Sequence, residues 1–425
     1  MHTAFTTANM LLPNSSIDYS KSKWSVIACD QYTSQPKYWQ NVEDITKDSP
    51  STLNLILPEV YLNSNDCEDR IAKIHSTMNE YLTNGVFTEY KDCFVYVERT
   101  QSDGKVRKGL IGAIDLEQYD YTKGSTSQVR ATEATVIERI PPRLKVRTNA
   151  PIELTHIMIL IDDAHNTVIE PIGEDKTALK SIYSVDLMLG GGHIDGYLVD
   201  SPNMQNSIDV ALNTLLKDHS NEYNTNINQT LLYAMGDGNH SLATAKAYYE
   251  NLKKSNPNVD YSNHPSRYAL VEIVNLHSEA LQFEAIHRIV TNVDTNDLLA
   301  KMNQYLDTST EGSNDVQKFY YVLNGKEYPL YINKPNSNLT VGSLQNFLDL
   351  YLKEHQNSSI DYIHGKDVVL TLSKQKDSIG FILPDMAKEE LFDTVIKDGS
   401  LPRKTFSMGH AEDKRYYMEC RTITE

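Results

Sequence analysis

Met235-Gly236-Asp237-Gly238-Asn239-His240-Ser241 is the stretch from which the rest of this chain can be read. An apolar run, residues 231–234, precedes it, and an amphipathic pattern opens at Leu242 behind it. An apolar run, a glycine-punctuated turn and then a helical period describe a strand passing into a helix. Two glycines let the backbone turn tightly and approach a ligand. The start of a helix offers unpaired N–H groups and the positive end of a dipole, which suit an anion. An acid, an imidazole and a hydroxyl lie between these features. The stretch therefore has the parts to hold phosphate and move a phosphoryl group. It fits an ordinary Gly-rich strand-to-helix turn equally well, and taken alone it leaves both readings open.

The flanking sequence repeats the alternation of strand and helix. Residues 24–29 form a short strand-like run, and residues 34–39 read as a helix start with a cap and an early proline. Ile71, Ile74, Met78 and Leu82 fall at helical spacing within residues 70–84. Residues 93–97 and 106–114 predict strands joined by a turn at Ser102-Asp103-Gly104. Residues 157–161 predict a buried strand. Residues 184–189 and 197–199 flank Gly190-Gly191-Gly192, a triplet that lacks the Lys-Ser/Thr of a P-loop and reads as a plain turn.

Residues 207–218 and 242–254 predict amphipathic helices, with a proline-bounded connector at 257–265 and a strand at 271–274. Residues 319–323 and 328–332, separated by Asn324-Gly325, predict a hairpin. Ser343 can cap a helix running to Lys353, and residues 368–372 and 379–383 predict strands. Interspersed strands and helices place the chain in the mixed α/β class. Its 425 residues favour more than one domain. The expected division is an N-terminal α/β region, 1–275, holding the phosphate-binding core, and a C-terminal α/β region, 276–425, contributing a basic loop.

Composition narrows the partners. A formal net charge of −17 argues against a broad nucleic-acid or anionic-membrane footprint. Four cysteines without a CxxC pair argue against a disulfide framework and fit a reducing compartment. Residues 1–14 lack a basic segment followed by a long apolar core, and residues 156–161 are too few to cross a bilayer. The expectation is a cytoplasmic protein acting on small molecules, with no nucleic-acid or membrane partner.

Within this acidic chain, cations concentrate at a few places. Arg130, Arg139, Arg143, Lys145 and Arg147 fall in one run with Thr132, Glu133 and Thr135. Arg forks suit phosphate oxygens. A solvated face, with Arg130 and Glu133 paired at helical spacing, is the alternative, although Pro141-Pro142 bars one uninterrupted helix. Arg403, Lys404, Thr405 and Ser407 form a second donor cluster near the C-terminus, followed by Lys414-Arg415. Asp162-Asp163 ends the apolar 157–161 run, where acids can hold Mg²⁺ with phosphate or simply start a turn. His287-Arg288 adds a basic pair beside a strand.

These residues together resemble a bacterial and protist family described as a domain of unknown function, related to the ParB/sulfiredoxin superfamily. Its central box is usually of the DGHHR type, and Asp237-Gly238-Asn239-His240-Ser241 stands in that place. Cys29-Asp30-Gln31-Tyr32, residues 143–163, Ala285-Ile286-His287-Arg288 and residues 401–409 are similar as well. The resemblance implies a ParB/sulfiredoxin-like catalytic core and a kinase that converts free L-serine to O-phosphoserine. Relatives differ in using ADP, ATP or inorganic pyrophosphate, and the layout here favours pyrophosphate. It leaves open an ATP- or ADP-dependent small-molecule kinase or nucleotidase, or a non-catalytic nucleotide-binding switch.

Carried over, the acid and second His of the box fall on Asp237 and His240. Asn239 replaces a first His and Ser241 replaces an Arg, and Arg130, Arg288, Lys404 or the 139–147 run can supply the lost cation. On this reading Gly236, Gly238, Asn239, His240 and Ser241 grip the donor. Arg130, Thr132, Thr135, His287, Arg288, Arg403 and Lys404 complete the cradle with Mg²⁺, whose ligands are unassigned. Asp237, with Glu133 second, deprotonates the serine hydroxyl, and Cys29, Asp30 and Gln31 bind the amino acid.

Overall fold

The computed structural model describes residues 3–14, 23–312 and 316–424. Residues 1 and 2 of the N-terminal stretch lie outside the described residues. The chain forms two compact units, one from residues 1–131, 135–281 and 409–425, the other from residues 132–134 and 282–408. Both are mixed α/β, with one sheet each and ten α-helices among the described residues of the whole chain.

The sheet of the first unit places Tyr233–Asp237 between the parallel strand Val129–Arg130 and the antiparallel strand Met158–Ile161. Met158–Ile161 pairs in turn with Tyr268–Asn275, which joins the long hairpin Val106–Asp115 and Phe87–Thr100. Every residue of Met158–Ile161 is buried: Ile159 and Ile161 lie in a hydrophobic core cluster on one face, and Met158 and Leu160 are 6% and 0% exposed on the other. Two-sided burial explains a continuous apolar run where one-sided burial would leave an alternating one. Helix Asn239–Ser255 packs Leu242, Ala245 and Tyr249 into the same core. Lys180–Asp186 and His193–Val199 form the hairpin around the glycine triplet.

The second unit carries a seven-stranded sheet built on Phe283–Thr291, which pairs with both Ser359–His364 and Ser378–Ile382. Gln317–Leu323 and Lys326–Ile332 form the expected hairpin, and Asn324 and Gly325 take φ of 51° and 75°. Positive φ at both turn residues matches the twist of the flanking strands, which is why Asn-Gly marks such turns.

Three local expectations differ from the structure. Residues 368–372 lie in helix Lys366–Leu372 rather than in a strand. Val369 is fully buried with Val322 and Ile382 in the same cluster, so tertiary packing of one apolar residue overrides the β propensity of the Val pair. Residues 24–29 make only an isolated bridge, Ile27 to Arg415. Ser343 is buried inside helix Thr340–Glu354, where its hydroxyl accepts from the Asn336 N–H, instead of capping the helix.

Candidate active site

The strand–turn–helix is built as its glycines require. Met235 pairs with Ile159 and Asp237 with Met158, so Gly236 is the extra residue of a β-bulge. A bulge bends its strand and re-aims the side chains beside it. Gly238 takes φ +83° and caps helix Asn239–Ser255. A Cβ there would meet the Ile157 Cα at 3.0 Å, so both the backbone angle and the space demand glycine. The N–H groups of Ser241 and Leu242 return to the Gly238 carbonyl at 2.9 and 3.1 Å. Those of Asn239 and His240 stand at the first turn, where a helix has no carbonyl to offer them.

A polar cavity opens on this turn. Asp237 through Ser241 form one wall. Cys29 and Asp30 come from the loop after Ile27, Arg143 from helix Ile140–Arg147, and His156 from the segment entering Met158–Ile161. Asp237 Oδ1 accepts from the Gly238 N–H at 2.8 Å, and Oδ2 lies 3.4 Å from Lys414 Nζ. Ser241 Oγ is 3.1 Å from His156 Nε2. Gln31 donates to Asp30 Oδ1 at 3.1 Å, which makes it a partner of that carboxylate. Asn239 Oδ1, His240 Nε2 and His156 Nδ1 are buried without a hydrogen-bond partner among the described residues. Three unmatched polar atoms around one cavity mark a place where a polar ligand supplies what the protein does not.

The electrostatics separate the groups. Burial pushes the Asp30 carboxyl up, but His156, Gln31, Lys414 and Arg143 together hold it below the usual range. Burial lowers His156, with Asp30 and Asp237 opposing. Burial raises the Cys29 thiol to about 11, and the Tyr416 hydroxyl bonds its sulfur, so this cysteine is a wall group and no thiolate. Burial, then the Arg143 and Arg139 guanidiniums, push His240 down to about 4 against the pull of Asp30.

His240 therefore yields a stability prediction. In the unfolded chain its imidazole protonates as pH falls through about 6.5, while the folded chain keeps it neutral to about 4. Its contribution is complete above about 6.5 and is lost as pH falls toward about 4. Urea unfolding at pH 7 and pH 5 should show a smaller acid loss for His240→Gln than for the native chain. Equal losses would remove His240 from the acid response.

A second cavity, mostly apolar, shares Cys29, Arg143, His156 and Ser241 with the first. Leu55, Leu57, Leu62, Met78, Val146 and Ile152 line its interior. Glu59 stands at its edge and is ion-paired with Arg143, with Arg139 3.6 Å away.

The remaining candidates have other placements. Arg130 directs Nε to the Ser127 carbonyl and Nη2 to the Gln229 carbonyl. The Thr135 hydroxyl is buried without a partner among the described residues. Thr132, Glu133, His287, Arg288, Arg403 and Lys404 belong to the second unit. There Glu133 bridges Leu401, and burial raises its carboxyl against Lys404 and the backbone N–H groups of Thr405 and Lys404. The Thr132 carbonyl accepts from the Leu401 N–H. Arg288 is fully buried and donates to the carbonyls of Ile286, Lys404 and Arg403, so it holds the 403–404 turn in shape. Arg403 pairs with Asp349, and Lys404 takes φ +57°. His287 Nδ1 accepts from the Leu383 N–H. Asp163 accepts from the N–H groups of Thr167 and Val168, and Asp162 pairs with His277, so these acids shape a turn. Lys145 and Arg147 pair with Glu68 and Glu153.

His156 and Lys414 are the site residues that sequence reasoning missed. His156 directly precedes an apolar strand, and its polarity against that run was the available signal.

A sequence search of curated proteins finds no relative. Among solved structures, the chain is similar to a conserved hypothetical protein from Pyrococcus furiosus at 11% identity, covering 72% of this chain and 91% of that one, with a TM-score of 0.33. It is similar to a free serine kinase in complex with AMP at 12% identity, covering 72% and 88%, with a TM-score of 0.36. SbnI with C-terminal truncation from Staphylococcus aureus follows at 9% identity, 74% and 83%, with a TM-score of 0.34. Scores this low mark distant similarity. Residues 11–351, which carry Asp30, Arg143, His156 and the Asp237–Ser241 turn, match the model of the family described as protein of unknown function (DUF1015), and the chain belongs to that family.

Proposed function

We propose that this chain is a phosphotransferase that moves a phosphoryl group from inorganic pyrophosphate to the hydroxyl of free L-serine. One observation carries the reading: a single cavity joins two carboxylates, two neutral imidazoles and one guanidinium to the bare N–H groups of a helix start. Phosphoryl transfer needs positioning and charge neutralisation more than covalent chemistry. The first-turn N–H groups and Arg143 neutralise the donor. His240 Nε2 and Asn239 Oδ1 are further unmatched polar atoms on the same wall, the amide oxygen able only to accept. Asp237, at the bulged strand end, orients and deprotonates the serine hydroxyl, while Asp30 faces the substrate ammonium.

The oxygens of Asp30, Asp237 and Asn239 fit the hard-oxygen preference of Mg²⁺, which would neutralise charge on the donor phosphates when bound. Among the described residues no group of three His, Cys, Asp or Glu side chains is arranged to hold a metal by itself.

A second reading, with a nucleoside di- or triphosphate as donor, is favoured by the adjoining cavity, whose apolar lining suits a base. The deciding experiment incubates purified protein and serine with pyrophosphate, ADP or ATP in turn and measures phosphoserine. Product with pyrophosphate is expected. Product with ADP or ATP alone would move the donor to the second reading. No product with any of the three would overturn the kinase.

A further inference from the structure

The first unit buries cationic side chains that its proposed active site does not use. Arg99 is 1% exposed and Arg415 is 2% exposed. Arg99 Nε and Nη2, and both terminal nitrogens of Arg415, have no hydrogen-bond partner among the described residues. Arg415 Nε donates to the Glu412 carbonyl at 2.8 Å. Arg99 stands directly across the hairpin ladder from Arg107, and Arg107 is already matched by Glu272 at 2.9 Å. Like charges facing each other across a ladder repel.

Asp413 attracts both guanidiniums and Glu412 attracts Arg415 through space, but neither acid pairs with them directly. Both carboxylate oxygens of Asp413 accept from Ser102, and Glu412 accepts from the Tyr32 hydroxyl. No carboxylate lies within ion-pair distance of Arg99 or Arg415 among the described residues. An unpaired buried cation is costly, and buried donors are ordinarily satisfied.

The glycine triplet lies at the same place. Gly190 and Gly192 take φ of +75° and +76°. A Cβ on Gly191 would fall 2.2 Å from Arg415 Nε and 2.7 Å from Nη2, so the loop lies directly on the guanidinium. A Cβ on Gly192 would fall 1.9 Å from the Thr100 carbonyl, next to Arg99 in the chain. Arg99 and Arg415 are close enough to repel each other electrostatically, and burial lowers both. Two forks with four unmatched donor nitrogens, beside a loop that carries no side chains, call for an acceptor with several oxygens.

We propose that Arg99 and Arg415, beside the 190–192 loop, form a second oxyanion site that takes a phosphate-class ion and is distinct from the Asp237–Ser241 cavity. A fork meets two oxygens of one such ion in parallel, and a tetrahedral ion leaves its other oxygens for a second fork.

Isothermal titration of the full chain with inorganic phosphate tests this. Two phosphates per chain are expected. Arg415→Met, and independently Gly191→Ala, should weaken one site about tenfold or more. Arg143→Gln should weaken the other. Thermal melting in phosphate-free buffer checks the fold. Loss of an unpaired buried charge should leave the Arg415→Met midpoint unchanged or raised, whereas a purely structural arginine would lower it. Phosphoserine is titrated in parallel. If it also binds at the Arg415-dependent site, the ligand is a phosphoryl group on a larger molecule; if only phosphate binds, it is the free ion. Phosphate binding that both loop-site variants leave unchanged overturns the proposal. A single site that is lost with Arg415→Met and kept by Arg143→Gln supports the proposal and counts against the active-site reading instead.

Discussion

Asp237→Asn is expected to lower the turnover of serine to phosphoserine by about 10²–10⁴-fold, the range over which a positioned general base acts. The fold should survive, because asparagine keeps the Oδ1 acceptor that holds the Gly238 N–H at 2.8 Å. What it loses is the charge and the attraction to Lys414, whose nitrogen lies 3.4 Å away. Both side chains of that pair are more than a quarter exposed, so its contribution to stability is within about 1 kcal/mol. The measurement is kcat and KM for serine and for the phosphate donor, with a urea midpoint as the control. The loss should fall on kcat, since a base acts in the transition state and the donor's main contacts are elsewhere in the cavity. Asp30→Asn is the necessary comparison. Asp30 lines the same cavity and stays ionised against its burial. A silent Asp237→Asn beside a dead Asp30→Asn would move the base to Asp30.

How far this site could be read in the chain depended on whether the signal was local. The turn was legible because its determinants are contiguous: a bulge at Gly236, a left-handed Gly238 and a helix beginning at Asn239. The Asn324-Gly325 hairpin was legible for the same reason. The site's cations were not. Seven cations around residues 130–147 and 403–404 looked alike as residues. Only packing decides that Arg288 and Arg130 go to carbonyls, that Lys145 and Arg147 meet acids, and that Arg143 reaches the cavity while paired with Glu59. Lys414 reaches Asp237 across more than 170 positions, a juxtaposition that no periodicity encodes. The helix at Lys366–Leu372 went unread for a related reason. Its one buried anchor, Val369, packs over Gly380, where a Cβ would fall 2.5 Å from the valine methyl.

His156 carries the second large effect. Its Nε2 meets the Ser241 hydroxyl at 3.1 Å, its ring stands edge-on to Tyr416 at 4.8 Å, and its Nδ1 is buried in the cavity wall without a partner. Burial keeps the ring neutral, so one nitrogen is a donor and the other an acceptor. If Nε2 accepts the Ser241 proton, Nδ1–H is the donor left for a phosphate oxygen. If Ser241 accepts instead, Nδ1 is left as a lone pair beside Asp30 and Asp237, which two carboxylates would disfavour. The first arrangement therefore fits the charges. His156→Ala removes both contacts and should reduce kcat about 100-fold, with a stability loss of about 1–3 kcal/mol from the exposed partner groups. His156→Gln separates positioning from proton transfer, because its amide can still donate to phosphate and accept from Ser241. Recovery of most of the activity in His156→Gln is the expected result, together with a native pH profile that shows no inflection near the ordinary imidazole value of about 6.5. An inflection there that disappears in His156→Gln would make His156 a titrating base, and Asp237 would then serve only to orient the acceptor.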